Sequence, residues 1–245
     1  MNGVSFKSIL TGAMALAGIS PDVLPDRDRA RARFCEFINE RMREAWGYER
    51  WPELIRTGYF LFSDPVIGGS TVPSIPLSGE GRVSMETVLG VYDRDPRGGR
   101  ASRLLRFSVV EGKIFVAWPN GSGTWVQFLP VFEPYSVEPV WSAAKAYAAG
   151  DLVFDEGGTG DCFSCVADAP AGVAITDGAH WRRLLVPESL APYVKQAAFA
   201  DILTEDGQFE PGGRQLSRAK QMLLDLADKA TAGQGQFQTV GVSIC

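Results

Sequence analysis

The 245-residue chain predicts an α+β fold in which helices from both ends build one bundle around β-rich inserts. Three observations lead there. Amphipathic stripes with three- and four-residue spacing concentrate near the two ends of the chain. Between them lie short runs rich in Val, Ile, Phe, Tyr and Trp, broken by Gly, Pro, Asp and Asn, which is the chemistry of strands and turns. Hydrophobic residues make up 45% and charged residues 22%, enough apolar side chain to bury a real core.

Near the N-terminus, Phe6, Ile9, Leu10, Ala13, Met14 and Ala17 fall on one face of a small helix. Lys7 followed by ILTGAMALAGI, with Ala13 to Ala15 as A-x-A, imitates a short signal peptide. The stripe favours a packed helix instead. A second helix is expected over Asp26 to Trp46, with Phe34, Ile38, Met42 and Ala45 to Trp46 on its apolar face, Pro25 and Asp26 as a start and Gly47 as a stop. Arginines 27, 29, 31 and 33 alternate with Asp26, Asp28 and Glu36, the pattern of an exposed, ion-paired surface.

From Tyr59 the periodicity changes. TGYFLF, GRVSMETVLGVY, SRLLRFSVV, KIFVAW and GTWVQFLPVF predict strands, with hairpins at Glu111-Gly112 and across PNGSG. An antiparallel meander over 58–138 is the expectation, followed by a separate small unit over 139–185. Helices then resume at Ser189 to Leu203, with Leu190, Val194, Ala197 and Ala198 on one face and Gly207 as a left-handed stop. The last is expected over Arg214 to Ala230, with Leu216, Ala219, Leu223, Leu226 and Ala230 as its stripe. Residues 1–57 and 186–232 thus make the helical bundle. Residues 233–245 are expected to form an extended arm, because Val240, Val242 and Ile244 alternate with Gly241 and Ser243. Such a terminal strand suits an edge or groove on another chain.

The charged and reactive residues nominate no reaction. His180 is the sole histidine and stands beside Trp181 with no nucleophile elbow elsewhere, so it reads as a polar residue at a strand end. Cys162 and Cys165 form a C-x-x-C in strand-like surroundings without a second ligand pair, so no metal centre is expected and Cys35, Cys162, Cys165 and Cys245 read as reduced thiols. GGSTVPS and DEGGTGD lack the Lys-Ser/Thr of a phosphate loop and read as turns. The Asp and Glu residues sit in turns and on helix surfaces, as Asp93, Asp95, Asp155 and Glu156 do. No catalytic residue and no cofactor are assigned, and the chain is expected not to be an enzyme. A net charge of −5 excludes nucleic-acid binding by counterion release over a broad face. No apolar run reaches the ~18 residues that would span a bilayer.

The 139–185 unit carries Trp141, Ala146-Tyr147-Ala-Ala-Gly150-Asp151-Leu-Val153, Cys162-Phe163-Ser-Cys165, Pro170 and Trp181. It resembles the chitin-binding type of carbohydrate-binding module, a small three-stranded β fold. The resemblance implies that Trp141, Tyr147, Phe163 and Trp181 either contact glycan or build the module's core, and their alignment favours the core. Around it, FKSILTGAMALAGI, RARFCEFINERMREAWGYERWPEL, VLGVYDRDPR, TWVQFLPVFEPYS, YVKQAAFADILTEDGQFEPGGRQLSRAKQMLLDL and AGQGQFQTV follow in order. Over most of its length the chain is similar to the head–tail adaptor (connector) proteins of tailed bacteriophages. Ala198-Phe-Ala200-Asp201-Ile-Leu203-Thr-Glu-Asp206-Gly207-Gln208 is the clearest signature.

That resemblance implies a structural virion protein, assembled in the host cytoplasm, forming a ring of twelve copies between the capsid portal and a tail or nozzle protein. DNA would cross its lumen. The arm, with Gln234, Gln236, Phe237, Val240, Val242 and Ile244, would dock on the portal protein. The 139–185 module is outside the family pattern and is expected to project outward, as a platform for a fibre or decoration protein. The rival expectation is a carbohydrate-binding adsorption component of a phage tail.

Overall fold

The computed structural model describes residues 3–19, 27–61, 69–70, 74–77, 81–98, 101–110, 113–116 and 123–238. The protein is α+β, with four helices and several small antiparallel sheets among the described residues. Strand β1 (Gly3–Ser5) leads into α1 (Phe6–Leu16) and α2 (Arg27–Tyr48). Seven strands follow: β2 (Arg56–Leu61), β3 (Gly69–Ser70), β4 (Ser74–Leu77), β5 (Gly81–Tyr92), β6 (Phe107–Val110), β7 (Lys113–Val116) and β8 (Gly123–Pro130). Then come β9 (Leu152–Phe154), β10 (Cys162–Cys165), β11 (Trp181–Arg183) and β12 (Leu185–Pro187), and finally α3 (Ala191–Glu205) and α4 (Phe209–Gln238). Two compact units result, one of Met1–Glu53 with Phe132–Cys245 and the other of Leu54–Val131.

In the first unit α3 is the centre, with α1, α2 and α4 all packed on it. Its burial explains that place. Ala191, Tyr193, Val194, Ala197, Ala198, Ala200 and Ile202 are buried over rather more than half of the circumference, while Lys195, Gln196, Phe199 and Leu203 on the remaining face are half-buried, as a helix with neighbours on several sides requires. The outer helices each bury one stripe: Phe6, Ile9, Leu10, Ala13 and Met14 on α1, and Phe34, Ile38, Met42 and Ala45 on α2. These are the stripes expected from the sequence, and helices from the two ends share one core. Strands β1 and β12 pair antiparallel, Val4 opposite Val186, and tie the start of the chain to the approach to α3.

The helix ends follow their local chemistry. The Ser5 hydroxyl accepts the Ser8 N–H at 3.1 Å and caps α1. Gly207, at φ +78°, closes α3: its N–H bonds Thr204 O and the Gln208 N–H bonds Leu203 O, the paired bonds of a Schellman turn. Pro25 and Asp26, the expected start of α2, lie outside the described residues, and α2 runs past Gly47 to Tyr48.

Helix α4 begins at Phe209, five residues before the expected Arg214. Pro211 lies in the first turn, where its missing N–H has no helical partner to lose. Gly212 is there because α4 crosses α3 closely: a Cβ on it would stand 2.4 Å from Thr204 Oγ1, 3.0 Å from Ala200 O and 3.2 Å from Thr204 N. The hydroxyl can rotate but the backbone atoms cannot. Gly212→Ala is therefore expected to destabilise the protein by about 1–3 kcal/mol despite the better helix propensity of Ala, read as a lower urea midpoint. An unchanged or raised midpoint would show that the crossing has slack.

At its other end α4 continues to Gln238, so Gln234, Gln236 and Phe237 lie on a helix and not in the extended arm expected over 233–245. Extending a helix already formed avoids nucleation, and Ala and Gln support it well enough to outweigh Gly233 and Gly235. Val240, Val242 and Ile244 fall outside the described residues.

The second unit is antiparallel throughout but is not a meander. One sheet has the order β2-β8-β5-β4 and the other β3-β7-β6. Strands β6 and β7, which the expected hairpin joins, pair antiparallel with Val110 opposite Lys113; Glu111 and Gly112 lie outside the described residues. Strands β7 and β8, which the expected PNGSG hairpin would pair, lie in different sheets among the described residues. Strand β8 instead sits between β2 and β5, where Val126 and Phe128 are fully buried. A central strand satisfies its backbone on both edges. Phe60, Val91, Leu105, Ile114, Val116, Val126 and Phe128 form this unit's core.

The unit boundary also differs from the expected 58–138. Residues 132–138 belong with the helices because the Asn39 side-chain amide bonds both backbone groups of Tyr135, at 2.8 Å each, and the Tyr135 ring stacks on Phe6 at 5.2 Å.

Candidate functional site

Two places carry the expected functional residues: the 139–185 module and the C-terminal stretch. The module is a three-stranded antiparallel sheet in the order β11-β10-β9, as its resemblance implied. Gly150, at φ +101°, makes the turn before β9, and the Asp151 carboxylate accepts the Ala148 N–H at 2.8 Å within it. Val153, Phe163, Cys165, Ala169, Ile175 and Trp181 form the core, with Trp141, Tyr147 and Val173 packed against it. Tyr147 meets Trp181 edge-on at 5.1 Å, and its hydroxyl accepts the Ser142 N–H at 2.8 Å. All four aromatics singled out from the sequence are thus brought to one core, Phe163 and Trp181 buried in it and Trp141 and Tyr147 half-buried against it. Sugars stack on rings that present an open face. Here the Tyr147 and Trp181 rings meet each other, and Phe163 and Trp181 are buried.

Both indole nitrogens, of Trp141 and Trp181, are buried without an acceptor among the described residues. An unpaired N–H of this kind costs about 1–3 kcal/mol, which burial of the two ring systems offsets. His180 stands just before β11, its Nδ1 buried and likewise without a partner among the described residues.

The module, expected to project outward from a ring, is tied to the helical body of its own subunit through charged and polar contacts. Asp161, fully buried, accepts the Lys7 N–H in the first turn of α1 at 3.1 Å and pairs with Arg183. A carboxylate there also meets the positive end of the α1 dipole. Arg31 of α2 pairs with Glu156 at 2.7 Å and lies over the Phe154 ring at 5.2 Å. The arginines of α2 do form ion pairs, but with distant partners as well as local ones: Arg33 binds Glu36 on its own helix and Glu205 of α3.

The cysteines sit where their chemistry is quiet. Cys162 and Cys165 are three residues apart on β10, so their side chains leave opposite faces of the strand. Cys162 donates to Ser136 O at 3.0 Å and Cys165 to Ala167 O at 3.0 Å. Burial pushes the Cys35 thiol up to about 12 and the Cys162 thiol higher still, which keeps both protonated near neutrality. The DEGGTGD loop is a turn: Asp155 accepts from Thr159 N and Oγ1 at 2.7 and 2.9 Å. No cluster of three or more His, Cys, Asp or Glu able to hold a metal occurs among the described residues. No helix among them is long and apolar enough to cross a membrane.

A feature that sequence reading passed over lies on the outer side of the β2-β8-β5 sheet. Tyr59, Trp125 and Tyr92 stand opposite one another across three strands, and Leu104 extends the row by an antiparallel bridge to Tyr92. The visible signal was alternation: each is flanked by core residues such as Phe60, Val91, Leu105 and Val126.

No family model matches the chain, and no curated protein matches it.

Proposed function

We propose that the protein is a head–tail adaptor: a structural virion component that closes into a ring between the capsid portal and the tail or nozzle. The observation that carries this reading is the joint packing of α1 and α2 from one end of the chain with α3 and α4 from the other. An adaptor body needs its two ends in one bundle, because side-by-side bundles form the ring while the inserts are free to meet other partners. The signature from Ala198 to Gln208 supports it as well. It covers the buried second half of α3, the Schellman turn and the entry to α4, which is the centre of that bundle. The tight fit of the module's aromatics speaks for a decoration that braces the subunit and against an adsorption role.

Electron microscopy of the full chain mixed with the portal protein of its phage tests this. Closed rings stacked on portal are expected; monomers or trimers that ignore portal would sink the reading. Within it, docking falls to the end of α4 and the residues beyond. The buried side chains of α4 among those described are Ala219, Leu223 and Ala227, all of which a deletion of Gln234 to Cys245 leaves in place. The truncated subunit is expected to keep its melting temperature and to lose portal attachment in co-sedimentation. Undiminished attachment would assign docking elsewhere.

A further inference from the structure

The acidity of this chain is unevenly spread. Residues Leu54–Val131 carry eight Lys and Arg against six Asp and Glu, whereas the whole chain has 24 against 29. Five of the arginines recur at every third position, Arg94, Arg97, Arg100, Arg103 and Arg106. Arg100 lies outside the described residues; the other four are exposed. Among these four, Arg97 pairs with Asp95 at 2.9 Å and lies over the Trp125 ring at 5.5 Å. This segment borders the Tyr59–Trp125–Tyr92–Leu104 row. The Asp93 N–H bonds Arg103 O and the Leu105 N–H bonds Val91 O, which holds 103–105 along the end of β5.

The row itself is built to present flat apolar surface. Gly90 leaves space for the Tyr92 ring, which lies across it: a Cβ there would stand 2.9 Å from both Cε2 and the hydroxyl. The hydroxyl donates to Gln127 Oε1 at 3.0 Å and fixes the ring in that pose. Tyr59 is 45% exposed and Leu104 61%, on a sheet whose other side is already filled by the core. Aromatic rings anchored on a sheet, beside exposed guanidinium groups, have the chemistry that stacks unpaired bases and neutralises their phosphates.

We propose that this face of the β unit binds single-stranded nucleic acid, with bases on Tyr92 and Tyr59 and phosphates on Arg94, Arg103 and Arg106. The arginines favour a polyanion over a neutral glycan, and the rings favour unpaired bases over a duplex. The face lies within one unit, so the proposal stands whether or not the chain forms a ring.

The test is fluorescence anisotropy of the full chain with a labelled oligothymidylate of about 12 nucleotides and the matching duplex, from ~50 to ~200 mM salt. Expected are tighter binding of the single strand and affinity that falls steeply with salt. Replacing Arg94, Arg103 and Arg106 together by Ala is expected to flatten the log–log salt slope by about 2, at roughly 0.7 per lost phosphate contact. Tyr59→Ser is expected to weaken the single strand several-fold and leave the salt slope unchanged. Circular dichroism verifies folding of each variant. Oligonucleotide binding that is absent at low salt, equal for single strand, duplex and heparin, or untouched by the arginine replacements overturns the proposal. So does preferential retention on a neutral polysaccharide.

Discussion

Trp181→Ala is expected to lower stability by about 3–5 kcal/mol, among the largest losses for a single side chain here. The indole is 4% exposed and sits where β11, Tyr147 and the core of the 139–185 module meet. The module is small, so the hole cannot be closed by neighbours sliding in: its other large aromatics, Trp141, Tyr147 and Phe163, are already in contact with the same core. Because β11 pairs with β10, and β10 follows the Asp161 that receives the α1 N–H, loosening of the sheet should reach the start of α1. The helical signal should survive at moderate temperature, since the packing of α3 on α4 does not pass through the module. Urea unfolding followed by circular dichroism and by tryptophan emission separates the two effects. A glycan-binding role makes the opposite forecast for these rings, namely unchanged stability with loss of retention on chitin or surface polysaccharide. Trp141→Ala should follow Trp181→Ala in direction with a smaller loss, its ring being only partly buried.

The helices were legible because their signal is local and redundant. The stripes of α1 and α2 recur often enough that one misplaced residue changes nothing, and Gly207 marks the end of α3 through a backbone conformation that glycine adopts readily. The start of α4 was not legible. Pro211-Gly212-Gly213 reads as a loop by itself, and only the closeness of Thr204 and Ala200 on another helix explains a glycine there. Strand pairing failed for the same reason: the runs in the sequence mark β7 and β8 correctly, but which edges they meet depends on what must be covered. The module's anchoring was hidden too. Asp161 stands in a glycine-rich turn and looks solvated, and its partners Lys7 and Arg183 lie far off along the chain. The aromatics of the module could be singled out because a family pattern, not periodicity, marks them, and they pack at one core.

Arg41→Ala is expected to cost about 3 kcal/mol at neutral pH, at the lower end of values for broken buried ion pairs because the site retains some exposure. Arg41 on α2 binds Asp201 of α3 through Nε at 2.8 Å and also through Nη2, and Glu44 through Nη1 at 2.6 Å. Glu44 in turn accepts the hydroxyl of the fully buried Tyr193 at 2.9 Å. One guanidinium therefore serves two carboxylates at the α2–α3 contact. Burial alone would raise the Glu44 carboxyl, but hydrogen bonds from Arg41 and Tyr193 outweigh it and hold the group below its ordinary range. A depressed carboxyl contributes stability above its unfolded value that is lost as pH falls through the folded one. The wild-type protein should thus weaken in acid at this site. In Arg41→Ala the attraction is gone while burial remains, so the same carboxyl shifts upward and protonation relieves the site. The gap between variant and wild type should then narrow from pH ~7 to pH ~4, as measured by paired urea titrations. A gap of equal size at both values would mean that Arg41 acts through its packed methylenes and not its charge, and the two carboxylates would need another account.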